Sequence, residues 1–399
     1  MKYLVSAFLL LCVSTATPQE IAGKKLSIQL GDTQGRSVPV SVQISGETAD
    51  ADFAAIHGDT ESSFPATLHD GELTVMLDGT LDAGTHVLRM AVFRRRYDPK
   101  VKVTKRTRAD VLDVVVNGEP VTSYHFGDDL RKPYLWPLKA EGGVSVTRDY
   151  PMGDPDRSRD HPHHTSFWTG YGDLNGADYW EHGERTGWQH TESIEYGSGD
   201  AYGWIETRIV WQDKDRKPVI DERRTYRFYN TPETARLFDV TVALTASHGD
   251  VKFGDTKEGG MVSLRMADAL RERGGSGRIT NSVGGVGAAE TWGKPAAWCD
   301  YSGSIEGFGP RGITIMDHPS SFRHPTHWHV RDYGLMGANA FGYSHFYDGE
   351  KNGDHLLKSG ETMTFRYRIF VHSGDVEDAD VAGHYADFSD PPTAAWLEE

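Results

Sequence analysis

"TMTFRYRIFVH", Thr362 to His372, sets the fold class. Met363, Phe365, Tyr367, Ile369 and Val371 fall on one side, and Thr364, Arg366 and Arg368 on the other. A period of two belongs to a pleated strand with one apolar face, because successive side chains point to opposite faces. The alternation recurs in "WIETRIVW" (Trp204 to Trp211) and "RRTYRFY" (Arg223 to Tyr229), joined by the polar "QDKDRKP", which predicts an antiparallel hairpin. "LFDVTVAL" (Leu237 to Leu244), "MVSLRM" (Met261 to Met266), "GITIMDH" (Gly312 to His318) and "GGVSVTR" (Gly142 to Arg148) read as further strands. One helix is expected, in "DVEDADVAGHYADF", with Asp375 as its N-cap. The expected fold is all-β, a large antiparallel β-sandwich over residues 110–390 that carries the site. Residues 25–95, with "SVPVSVQI" and "LTVMLDGTLDAGTHVLRMAVF", are poor in His and Trp and are expected to form a small accessory β-sandwich.

Lys2, the apolar run Leu4 to Val13 and the small residues Ser14-Thr15-Ala16 predict a removed signal peptide over residues 1–16, hence a secreted or periplasmic protein. No later stretch approaches the roughly 20 apolar residues of a membrane helix. Cys12 lies in that signal, which leaves Cys299 alone; an internal disulfide is excluded and a buried thiol expected. The net charge of −16 argues against nucleic acid or an anionic membrane as partner. The basic run "RRRYDPKVKVTKRTR", Arg94 to Arg108, reads as an edge strand whose cations discourage pairing with other chains.

"RDHPHHTSFWTGYGDLNGADYWEH", Arg159 to His182, concentrates histidines, carboxylates and indoles in a segment with no long apolar run. Pro162 disfavours helix at His161, so an extended chain is expected, with His161 and His163 facing one way and His164 the other. "PTHWHVRDYG" repeats the spacing, with His327 and His329 on one face and Trp328 pointing away. Imidazoles titrate near neutral pH and serve as proton carriers; the candidates for acid–base work are His161, His163, His164, Glu258, Asp300 and His327. The alternative is a divalent metal on His161, His163, His327 and His329, since neutral ring nitrogens at alternate strand positions can converge on one ion. Otherwise no cofactor is expected. Trp168, Trp180 and Trp328 offer flat faces for stacking on sugar rings; Arg148, Asn175, Asp178, Lys257, Arg265, Arg331 and Tyr333 offer groups for hydroxyls or carboxylates.

"RKPYLWPLKAEGGVSVTRDYP", "DHPHHTSFWTGYGDLNGADYWE", "TKEGGMVSLRM", "AAWCDYSG" and "MDHPSSFRHPTHWHVRDYGLMGANAFG" resemble, over roughly residues 110–390, a secreted bacterial family often labelled methane oxygenase. Membrane methane oxidation needs spanning helices, which this sequence lacks. The family is better likened to the galactose-mutarotase-like β-supersandwich, a fold of sugar epimerases, polysaccharide lyases and glycosidase accessory domains. That resemblance implies sugar chemistry without fixing the reaction. The expected function is cleavage of a glycosidic linkage in a plant or algal oligosaccharide, by hydrolysis or elimination. A mutarotase or epimerase, a noncatalytic carbohydrate-binding protein and a metal-dependent oxidoreductase are the alternatives.

Overall fold

The computed structural model describes residues 18–44, 49–58, 61–92, 98–153 and 158–398. The expected signal peptide and Arg94–Tyr97 lie outside the described residues. The chain divides into two compact units, residues 1–98 with 392–399, and residues 99–391.

The smaller unit is one seven-stranded antiparallel sheet. Its order is Val38–Gln43, Glu72–Leu77, Ser63–His69, Ala51–His57, Gly84–Val92, Lys25–Leu30 and Thr393–Trp396. The two edges meet: the Trp396 indole N–H donates to the Gln43 carbonyl across 3.3 Å. Curled in this way, the sheet encloses its own core of Leu26, Ile28, Val40, Phe53, Leu73 and Leu88.

The larger unit is nearly all β. One eight-stranded sheet runs Trp188–Gly197, Tyr202–Gln212, Pro218–Tyr229, Ala235–Thr245, Thr362–Ser373, Gly309–Asp317, Trp298–Ile305 and Arg278–Asn281. The other runs His327–Arg331, Leu335–Asn339, Gly259–Arg265, Phe167–Tyr171, Tyr134–Leu135, Glu119–His125, Val111–Val116 and Val101–Lys105. Each is antiparallel, and their apolar faces join in one core in which Phe167 of the second sheet meets Phe238 of the first, ring centroids 5.7 Å apart. Val101–Lys105 is an edge strand, as the basic run implied.

The alternation in Thr362–Ser373 holds only for its first half; from Tyr367 to His372 both faces are buried. The helix Val381–Ser389 lies there, with His384 against Phe370 at 4.1 Å and Phe388 under the Arg368 guanidinium. That helix starts later than the sequence implied, capped by Asp380, which accepts from Gly383 N; Asp375 caps the preceding turn through Glu377 N and Asp378 N. Gly142–Arg148 is no strand but a 3-10 turn at Glu141–Gly143 followed by isolated bridges, because left-handed Gly142 and Gly143 break the extended run. Cys299 is buried, and burial pushes its thiol up.

Candidate functional site

The sheet that ends in His327–Arg331 has two chemically different faces. Trp328 and Val330 enter the core, so period two turns His327, His329 and Arg331 to the opposite face. Strand register places His125, Tyr134, Trp168, Ser263, Gly337 and His329 side by side in one row on that face. The loops covering this row bring the site together.

Arg159–His182 contributes most of it. Residues 161–164 form a tight turn, with His164 N donating to His161 O across 3.0 Å. This replaces the extended chain expected from sequence: Pro162 occupies the second turn position, which its fixed φ suits, and His161 takes a left-handed φ of 46°. The three imidazoles therefore converge instead of alternating. His161 stacks on His164 at 4.8 Å and on Tyr333 at 5.1 Å, and His163 meets His164 edge-on at 4.4 Å.

Asp160 is the keystone of the turn. Its carboxylate accepts from Arg148 Nη1 at 2.8 Å, from Arg265 Nη2 at 2.8 and 3.0 Å, and pairs with His161 Nδ1 at 2.6 Å. Although burial opposes the charge, Arg265 and then His161 and Arg148 hold the Asp160 carboxyl far below the usual carboxylate range. With Nδ1 bonded to a permanent carboxylate, His161 keeps Nε2 without a partner among the described residues, on a side chain 39% exposed. An Asp–His pair so arranged orients the imidazole and turns its Nε2 toward a proton to be accepted.

Glu181 stands on the other side. Asp178 Oδ1 accepts from Trp180 N and Glu181 N, at 2.7 and 3.1 Å, fixing the turn that presents Glu181; Glu181 Oε2 lies 2.9 Å from His163 Nδ1. Partial burial, then the charges of Asp178 and Glu258, raise the Glu181 carboxyl above its ordinary range. Burial, with the Lys132 charge second, pushes His163 down to about 3, so this imidazole is neutral. Lys132 itself is buried, donates to the Trp180 carbonyl and is pushed down to about 7 by desolvation. Lys257 and Glu258 form a half-exposed ion pair whose electrostatic influence reaches His329, Glu181 and Tyr333.

The expected residues separate into three groups. His161, His163, His164, Lys257, Glu258 and Tyr333 are brought together, and Arg331 lies 3.6 Å over the Trp292 ring beside His329. Arg148 and Arg265 are present but fully buried and engaged with Asp160, so they position the turn and do not meet a ligand; Asp178 likewise serves the backbone. The remainder are corrections. Trp168 and Trp180 are sealed in a cluster with Tyr134 and Leu335, and Trp328 is core with its N–H on Ala296 O, so none offers a face for stacking. Asn175 accepts from Lys252 N at a turn. Asp300 belongs to the other sheet, buried against His372 Nε2 at 2.8 Å and Thr314 Oγ1. His327 bonds Tyr347 OH at 2.9 Å and packs on Phe346, apart from the imidazole turn.

His163 and His329 both border Trp180, at 6.4 and 6.0 Å between rings. No three His, Cys, Asp or Glu side chains among the described residues converge as metal ligands. Asp160, Glu181 and Lys132 were missed in the sequence. The first two stand in the stretch that drew attention there, but only partners distant along the chain distinguish them from other surface carboxylates.

Residues 111–386 match the model of a family of unknown function, DUF6807. No curated protein matches the chain. Among solved structures, galactose 1-epimerase from Lactobacillus acidophilus NCFM is similar at 8% identity with a TM-score of 0.32, over 70% of this chain and 100% of that one. A glycoside hydrolase family 97 enzyme from Pseudoalteromonas sp. strain K8 is similar at 8% identity and TM-score 0.28, over 68% of this chain and 34% of that one. A beta-arabinopyranosidase is similar at 9% identity and TM-score 0.27, over 68% and 38%. The last two are much longer than this chain. Neither the family nor these structures bears the methane oxygenase label. The matched segment lies wholly within the larger unit, which holds the imidazole turn, and by that match the chain belongs to the DUF6807 family.

Proposed function

We propose that the protein is an exported acid–base enzyme that hydrolyses a glycosidic linkage in an oligosaccharide, with Glu181 as proton donor and His161 as proton acceptor. The observation that carries this reading is the Asp160–His161 pair, whose free Nε2 shares a half-exposed surface with a carboxyl raised above its ordinary range by partial burial and neighbouring carboxylates. Cleavage breaks the bond from the anomeric carbon to the linkage oxygen. The bonding pair leaves with that oxygen, which takes the Glu181 proton. Water adds its oxygen to the anomeric carbon and gives a proton to His161 Nε2. Glu258, the second half-exposed carboxylate, supports the developing positive charge on the sugar. The sugar assignment rests on the mixture of carboxylates, imidazole and the Lys257 and Arg331 cations around the partly exposed rings of Tyr333 and Trp292. Export rests on residues 1–16 of the sequence.

Proton NMR of defined oligosaccharides incubated with the protein tests the reaction. New reducing ends are expected, and their rate falls by roughly 10²- to 10⁴-fold in His161→Ala. Anomers that equilibrate without new ends would make the enzyme a mutarotase, and an unsaturated end would make it a lyase. A broad panel left intact removes the enzyme reading.

A further inference from the structure

Arg131 and Lys132 grip the Glu181 loop at two points. Lys132 Nζ donates to Trp180 O, and Arg131 Nη1 donates to Thr186 O across 3.1 Å, while Gln189 N bonds Arg131 O. The anchors are stiffened by a tight turn in which Thr186 Oγ1 donates to Gly183 O at 2.8 Å. Arg131 is itself fixed, stacked 3.6 Å over the Trp188 ring, whose other contact is Arg216 at 3.5 Å. Between the two anchors, residues 181–185 arch outward and every one is exposed.

A concavity of about 640 Å³ lies against this arch, lined by Asp178, Glu181, His182, Glu184, Arg185 and Thr186 among others. That falls inside the roughly 300–1,000 Å³ typical of small-molecule sites. Glu181 is common to the concavity and to the acid–base surface, where it meets His163. Glu184 and Arg185 engage no other side chain among the described residues, which leaves their donors and acceptors for a ligand. With Glu181 serving as the acid, Asp178 and Glu184 set two carboxylates against the single lining guanidinium of Arg185, a balance that disfavours an acidic sugar and suits neutral hydroxyls.

We infer that this concavity receives the leaving-side unit of the substrate, a neutral, hydroxyl-rich sugar ring, and so holds its linkage oxygen at Glu181. The inference rests on the acid–base reading above. Glu184 and Arg185 then act as specificity residues, touching the leaving sugar and not the bond that breaks.

The test uses the full chain with Glu181→Gln, which slows cleavage, and saturation-transfer NMR with maltotriose, cellotriose, xylotriose and trigalacturonate as probes. At least one neutral trisaccharide is expected to bind, trigalacturonate is not, and adding Glu184→Ala with Arg185→Ala weakens binding by about tenfold, or 1.4 kcal/mol. Unchanged binding in that variant, tighter binding of trigalacturonate, or no binding by any probe overturns the inference. The two readings fail separately. If the parent protein cleaves an oligosaccharide and the Glu184→Ala, Arg185→Ala variant keeps its KM, the subsite is wrong and the acid–base assignment stands. If the trisaccharide binds through Glu184 and Arg185 but the parent cleaves nothing, the acid–base assignment falls and with it the leaving-side role, and the concavity stands as a neutral-sugar binding site.

Discussion

Asp160 and Arg265, 105 residues apart in sequence, are joined by two hydrogen bonds of 2.8 and 3.0 Å, and on that contact the orientation of His161 depends. Arg265 is fully buried while Asp160 is 41% exposed, so the pair brings a charged, anchored carboxylate to the protein surface.

Asp160→Asn separates orientation from packing. The amide keeps the shape but removes the charge that holds His161 Nδ1, and it leaves two buried guanidinium groups short of an anionic partner. Turnover is expected to fall by at least roughly 10²-fold. Stability falls by about 1–2 kcal/mol in urea unfolding, less than the ~3–5 of a sealed ion pair because solvent reaches Asp160. Turnover within twofold of the parent removes His161 as acceptor.

The neutral, buried histidines predict acid sensitivity. His163 titrates near 3 and His327 near 4, both lowered chiefly by burial, and His164 and His329 are lowered well below their ordinary value for the same reason. The unfolded chain takes up these protons near pH 6.5, the folded protein does not. Their contribution is therefore complete above about pH 6.5 and is lost as pH falls toward the folded values, at about 1.4 kcal/mol per pH unit for each ring as an upper bound. Urea midpoints at pH 7, 6 and 5 are expected to fall steeply, and less steeply in His327→Gln. A flat profile over that range contradicts neutral burial.

Because the Glu181 carboxyl is raised, its protonated form persists above the ordinary glutamate range and disappears as pH rises through its own value. Activity is expected to decline on the alkaline side of that value, and Glu181→Gln abolishes the limb together with most turnover on substrates with poor leaving groups. A pH–rate profile of kcat/KM measures it. An unchanged alkaline limb in Glu181→Gln assigns the donor elsewhere.

Asp300 serves as the internal control. It sits in the other sheet, bonded to His372 and Thr314 and fully buried. Asp300→Asn is expected to lower stability by roughly 3–5 kcal/mol, while the surviving folded fraction keeps its turnover number. Loss of turnover with full stability would return Asp300 to the site.

Gly187 tests the loop's footing. A Cβ at this position would stand 2.2 Å from Tyr179 Cε1 and 2.7 Å from the Gln212 carbonyl oxygen, and Gly187 N bonds Asp178 O at 2.7 Å. Gly187→Ala is expected to displace Tyr179 or the chain, costing about 1–3 kcal/mol and perturbing the Asp178 turn that presents Glu181. Thermal unfolding and turnover are expected to fall together.

Alternating sequence was a reliable guide wherever one face of a strand met the core. It failed at Tyr367–His372, where a helix covers the second face, and at Gly142–Arg148, where glycines take left-handed conformations. Within the site, the density of His161, His163 and His164 was visible, and their convergence was not, because it depends on a turn closed by one backbone hydrogen bond. Polar neighbours in sequence suggested open indoles at Trp168 and Trp180. Register across the sheet instead sets Trp168 on a face roofed by loops, and Trp180, in one of those loops, packs on it with ring centroids 5.6 Å apart. The contacts of Asp160 with Arg265 and of Lys132 with the Trp180 carbonyl join segments distant in sequence, and no local pattern encodes them.

Thr393–Trp396 pairs with Lys25–Leu30 and so completes a sheet whose other strands all precede residue 93. Lys25–Leu30 must therefore wait for the synthesis of Thr393–Trp396 before that sheet can close. A protease cut beside Pro392 frees Thr393–Trp396 to leave and bares the backbone of Lys25–Leu30, a template for a strand from another molecule.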